Sequence, residues 1–106
     1  MGNALTLLVV TAIAAGGPPG HHGRGRLVSA PVSIEALTLP HYFVLDTTNV
    51  RGRVRASLPV GIYRVRGSVT PRHSCITSYV RVHSKAWLRW ARHRRSQRFD
   101  LECPVP

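Results

Sequence analysis

Val50-Arg51-Gly52-Arg53-Val54-Arg55-Ala56-Ser57-Leu58 decides how this chain is read. Val50, Gly52, Val54, Ala56 and Leu58 fall on one side, and Arg51, Arg53, Arg55 and Ser57 on the other. Strict alternation of this kind marks a strand with one face buried and one in water. Residues 62–69 repeat it, with Tyr63, Val65, Gly67 and Val69 set against Ile62, Arg64, Arg66 and Ser68. Pro59-Val60-Gly61 lies between the two runs, and a three-residue connection containing glycine predicts a β-hairpin.

Leu58–Val65 also resembles the turn-and-strand of transthyretin-like and other secreted β-sandwich modules, a pattern of eight residues that names no family. Further strands are expected at Val32–Leu39, Tyr42–Thr47, Cys75–His83 and Phe99–Cys103, the last alternating apolar and acidic residues. Six candidate strands at short spacing predict a mostly β protein, a small antiparallel sandwich or barrel. Lys85–Arg98 (KAWLRWARHRRSQR) breaks the pattern. Trp87, Leu88, Trp90 and Ala91 can share one face of a short helix near residues 85–95, and an extended solvated loop is the alternative.

The amino terminus has a different character. Ala4–Ala15 is an uncharged, mostly apolar run followed by Gly-Gly-Pro-Pro-Gly, which is the length of a signal-peptide core, with small residues at Ala12 and Ala14. The leading Met1-Gly2-Asn3 carries no Lys or Arg. A cleaved secretory signal over residues 1–15 is the reading taken forward. A buried or membrane-associated segment is the second, because runs this short are ambiguous. Myristoylation at Gly2 is the third, since residues 1–6 fit the acceptor pattern. Residues 16–26 read as a Gly/Pro/His/Arg leader without structure, and 27–106 as one β-rich domain. His21 and His22 have no further ligand nearby, so no metal site and no cofactor is expected.

Cys75 and Cys103 are 28 positions apart. In a secreted chain the simplest pairing is one disulfide, with two free thiols as the alternative. A third reading makes Cys75 a nucleophile with His73 as its base, but no carboxylate stands nearby to orient the pair. No phosphate-binding loop, zinc-protease helix, C-x-x-C or nucleophile-elbow motif occurs, so no catalytic residues are expected and an enzyme is the poorest of the function classes.

Charge is the loudest feature. Fifteen Lys+Arg against 4 Asp+Glu leave +11 over 106 residues, and every cation but Lys85 is arginine. Arg, Ala, Gly and Pro are also favoured by GC-rich coding, and a reading frame without evolved function would share that composition and fold poorly. Guanidinium groups suit phosphate, sulfate and carboxylate ligands. Two groups of cations are therefore candidate anion-binding residues: Arg51, Arg53, Arg55, Arg64 and Arg66 on one face of the expected hairpin, and Lys85, Arg89, Arg92, Arg94, Arg95 and Arg98 in the Trp-containing segment. Trp87 and Trp90 are candidate interface aromatics, for lipid or for stacking on bases, or else they cap the core. A solvated sheet face is the plain alternative for the hairpin arginines. The function expected is a secreted, non-enzymatic protein binding an anionic polymer or membrane surface: lipid headgroups, sulfated glycan or nucleic acid. The alternatives are a secreted effector or ligand for a specific protein partner, with charge steering association, and an intracellular nucleic-acid binder.

Overall fold

A computed structural model describes residues 5–15, 25–38 and 42–104. Met1–Ala4, including Gly2 of the acylation pattern, and residues 16–24, including His21 and His22, lie outside the described residues.

Two sheets face each other as a β-sandwich. The smaller has the order β4-β1-β8, with β1 Thr6–Ala15, β4 Arg53–Leu58 and β8 Ser96–Pro104. The larger contains β3 Phe43–Thr47, β2 Pro31–Ala36 and β5 Gly61–Thr70, and the far edge of β5 is shared by β6 His73–Ser74 and β7 Ser78–Val82. The core strands turn apolar residues inward, whereas β3 leaves Phe43 and Leu45 on the surface. Leu8, Val10 and Ala12 of β1, Val54, Ala56 and Leu58 of β4, and Leu101 and Cys103 of β8 meet Val32, Ile34, Tyr63, Val65, Val80 and Val82 across the gap. Burial pushes the Tyr63 hydroxyl up to about 12, helped by the neighbouring Tyr42, and that hydroxyl donates to the Pro59 carbonyl at 2.7 Å.

The expected hairpin does not form. β4 pairs antiparallel with β1, while β5 pairs with β2 and β7. Leu58–Gly61 is instead a corner that carries the chain from one sheet to the other. Each strand has one apolar face, and the corner sets those faces against each other so that both are buried at once. A hairpin would also have placed the arginines of both strands side by side on one face, where like charges repel. The strand expected from residue 50 starts at Arg53. Asn49 Oδ1 accepts from the Arg51 and Arg53 amides at 2.9 and 3.1 Å, which winds residues 49–52 into a turn. Gly52 closes that turn with φ of 73°, and a Cβ there would lie 2.7 Å from the Arg26 Cβ.

Residues 6–15, expected within a signal peptide, form the central strand of the smaller sheet. β1 is antiparallel to β4 and parallel to β8, so the sandwich is not wholly antiparallel. The run is long enough to serve both descriptions, because a strand buried on one face and overhung by long side chains on the other needs little polarity. Gly25 and Arg26, expected in the leader, return with Leu27 to the end of β1: the Ala14 amide donates to the Gly25 carbonyl at 2.7 Å and the Leu27 amide to the Ala12 carbonyl at 3.0 Å.

Cys75 and Cys103 are joined in a disulfide, as expected. The bridge ties the β6–β7 connection, beside β5, to β8 of the other sheet. Gly67 packs directly beneath it, since a Cβ at that position would sit 2.9 Å from Leu101 Cδ2 and 3.1 Å from Cys75 Sγ. Two side chains close the edges. Gln97 accepts from the His83 amide at 3.0 Å and donates to the Arg81 carbonyl at 2.7 Å, joining β8 to β7. Tyr42 donates to the Ser57 carbonyl at 3.0 Å, joining the start of β3 to β4.

The expected helix is present as 8 residues, one turn at Lys85–Trp87 (α1) continued by a π-helical turn at Leu88–Arg92. Ser84 caps it by accepting from the Trp87 amide at 3.1 Å. His93, with φ of 54°, ends it. Of the four residues expected to share an apolar face, Leu88 alone is buried; Trp87 is half-buried, and Trp90 and Ala91 face water.

Candidate anion-binding surface

On the outer face of the smaller sheet, register dictates who stands beside whom. Val9 of β1 is flanked by Arg55 on β4 and Arg98 on β8, and Thr11 by Arg53 and Asp100. Val9 points outward yet is buried, as the apolar stems of long neighbouring side chains allow. Two open depressions lie on this face. One, of about 340 Å³, is lined by residues including Arg51, Arg53, Arg55 and Arg98. The second, of about 290 Å³, is lined by residues including Thr11, Arg26, Arg53, Arg98 and Asp100. The Nε of Arg53 is buried there with no hydrogen-bond partner among the described residues.

A third depression, about 510 Å³, continues from Arg98 under the helix, where His83, Trp87, Arg92 and Arg94 line it. The Trp87 ring stacks on His83 with centroids 4.0 Å apart, and the Arg92 guanidinium lies 5.8 Å from its centroid, over the ring. Cation–π attraction and stacking hold that cluster in place. Lys85, Arg89 and Arg95 gather around a separate depression on the same helical segment.

The structure therefore regroups the candidates. Arg51, Arg53 and Arg55 line one depression and Arg92 and Arg94 another, and Arg98 lines both as well as the third. Arg64 and Arg66 are on β5, in the opposite sheet, and share no face with Arg53 and Arg55. Arg64 is also engaged: its Nε donates to Glu35 Oε1 at 3.0 Å, and its Nη2 donates to the same oxygen. That hydrogen bond raises the guanidinium pKa further. Among the described residues it is the one ion pair, so the other described arginines stand without a carboxylate within 4.0 Å.

Sequence reasoning missed Arg26 and His83. Arg26 reaches the site through non-local pairing of residues 25–27 with β1, which no local pattern reveals. His83 stands just before the Ser84 cap, and its stacking on Trp87 depends on how the chain enters the helix, which spacing alone does not state. Cys75, considered as a nucleophile, is held in the disulfide, and His73 Nδ1 instead lies 2.9 Å from Thr70 Oγ1. Compared with known proteins, the chain matches no family model and no curated sequence.

Proposed function

We propose that the protein is a small non-enzymatic binder of anionic surfaces, acting through the arginines that the smaller sheet and the helix bring together. The observation carrying this reading is Arg98, which lines both the depression of the Arg51–Arg55 group and that of the Arg92–Arg94 group. Among the described residues none of these arginines forms an ion pair, and Asp100 is the one carboxylate lining the three depressions. Guanidinium groups left unpaired on one surface keep their donors free for phosphate or sulfate oxygens.

The compartment proposed is extracellular. The Cys75–Cys103 bridge supports an oxidising, extracellular-type environment, and among the described residues no helix is long and apolar enough to cross a membrane. Export that leaves residues 6–15 in the chain keeps the central strand. Cleavage near Ala14–Gly17 would remove it.

The test is a salt titration of binding to heparin, anionic liposomes and duplex DNA. Neutralising about five phosphates on duplex DNA gives a slope of log K against log[salt] near −4.5. Replacing Arg92, Arg94 and Arg95, all exposed, with Gln reduces the slope and leaves the disulfide and fold intact. Salt-independent binding, or loss that is equal on a neutral surface, overturns the proposal. Loss confined to the association rate of one protein partner would favour a specific ligand instead.

A further inference from the structure

The connections at one end of the sandwich differ from the rest of the surface. β1 begins there at Thr6, paired with Leu58 at the end of β4, and β8 begins there with Ser96 beside Leu7. β7 ends there, with Val82 beside Gly61. β2 runs toward this end as well, and the Leu37 amide just beyond it donates to the Ile62 carbonyl at 2.8 Å. Four separate stretches of chain thus meet at this end: Leu5, residues 37–38, Pro59-Val60, and the helical segment 83–95.

Each of these stretches exposes a large apolar side chain. Trp90 is 80% exposed and Val60 53%, and Leu5 and Leu37 are also on the surface. None is needed by the core, which the strands fill from within. Lys85, Arg89, Arg92, Arg94 and Arg95 lie within five positions of Trp90 on the same segment, all exposed. These connections contain no acidic residue. Glu35 is paired with Arg64, and Asp46, Asp100 and Glu102 lie further along the strands, toward the other end.

We propose that this end of the sandwich docks onto the face of an anionic lipid bilayer, with Trp90 and Val60 entering the headgroup layer and the surrounding cations meeting lipid phosphates. The proposal rests on the anionic-surface reading above and names its target. A tryptophan ring is amphipathic and sits well at the junction of water and hydrocarbon. Peripheral attachment gains from buried apolar area and from attraction of basic residues to anionic headgroups together. A heparin chain or a DNA duplex would use the cations and leave Val60, Leu37 and Leu5 with nothing to do.

The experiment measures partition to phosphatidylcholine vesicles and to mixed phosphatidylcholine–phosphatidylserine vesicles, with heparin and single-stranded DNA alongside. A Trp87→Phe background leaves Trp90 as the one tryptophan, so its emission reports directly. On mixed vesicles Trp90 emission shifts to the blue and is quenched by brominated lipid, and neither occurs with phosphatidylcholine alone. Trp90→Ser with Val60→Ser weakens partition to mixed vesicles about tenfold or more, while heparin affinity and the thermal transition hold. Vesicle binding that survives this double substitution overturns docking by insertion. Loss of the same size on single-stranded DNA overturns it in favour of stacking on bases. Absence of binding to vesicles, heparin and DNA alike overturns this proposal together with the broader reading, whereas heparin binding without vesicle binding overturns this one alone.

Discussion

Arg53 and Arg55 look out from β4 beside Val9, Thr11 and, across β1, Arg98; Arg64 looks out from β5 beside Glu35. The local sequence of the two strands is alike, with arginine at alternate positions and small or apolar residues between. What differs is the neighbour that register supplies. In the larger sheet Glu35 falls opposite Arg64, so a cation and an anion settle into a hydrogen-bonded pair. In the smaller sheet the middle strand offers only uncharged side chains to Arg53 and Arg55, and their charge stays available. An arginine is paired or left free according to the strand laid next to it.

The middle strand is where that contrast is most easily broken. β4 and β8 do not pair with each other; both depend on β1. A chain beginning at residue 16 loses Leu8 and Val10 from the core, at roughly 1.5–3 kcal/mol for each fully buried side chain, together with the pairing of two strands. Against a total stability of about 5–15 kcal/mol for a typical domain, cooperative unfolding is expected to disappear. Circular dichroism melts of residues 1–106 and 16–106 compare the two, and a sharp transition in the shorter chain would show that β4 and β8 close onto each other. Mass measurement of the protein recovered from the medium of its producer shows which form exists.

The bridge between the sheets gives the next largest effect. Replacing Cys75 and Cys103 with Ala releases a loop whose ends are 28 residues apart, and the chain-entropy treatment assigns it about 3.6 kcal/mol. Denaturant unfolding of the variant and of the oxidised wild type measures the difference. A change near zero would mean that β8 is held to the larger sheet by packing alone.

The smallest effect sharpens the comparison of the two arginine faces. Glu35→Gln removes the partner of Arg64, and loss of a solvent-screened pair of this kind changes stability little. Polyanion binding is expected to keep its salt dependence, because Arg64 lies on the other face. A slope steeper by about 0.9 would mean that a freed Arg64 had joined the binding surface.

Much of the secondary structure is legible in the residues. Val54, Ala56 and Leu58 against Arg53, Arg55 and Ser57 can only be a strand with one face in water, and Tyr63–Gly67 and Phe99–Cys103 read the same way. The disulfide is legible because two cysteines allow one pairing within the chain. Trp90 is only half legible. Its spacing from Trp87 fits a helix, but no pattern of residues 85–98 tells that the helix turns Leu88 inward and leaves Trp90 in water.

Alternation states which side of a strand is dry; it does not state which strand lies alongside. Side-chain direction is a local property of the backbone, whereas pairing is settled by competition among all strands for a common core. The residues therefore announce the strands from β2 onward only in part, with the inner residues of β4, β5 and β8 among them, and they announce the bridge and the abundance of guanidinium groups. β1 is hidden in a run that also fits a signal peptide, and Val50, on the dry side by alternation, is exposed. Long-range pairing is what sets residues 6–15 between β4 and β8, makes Leu58–Gly61 a corner, and stands Arg98 rather than Arg64 with Arg53 and Arg55. The physical reason is that two apolar sheet faces bury each other most fully when the chain crosses between layers, and that crossing carries charges adjacent in sequence to opposite sides of the molecule.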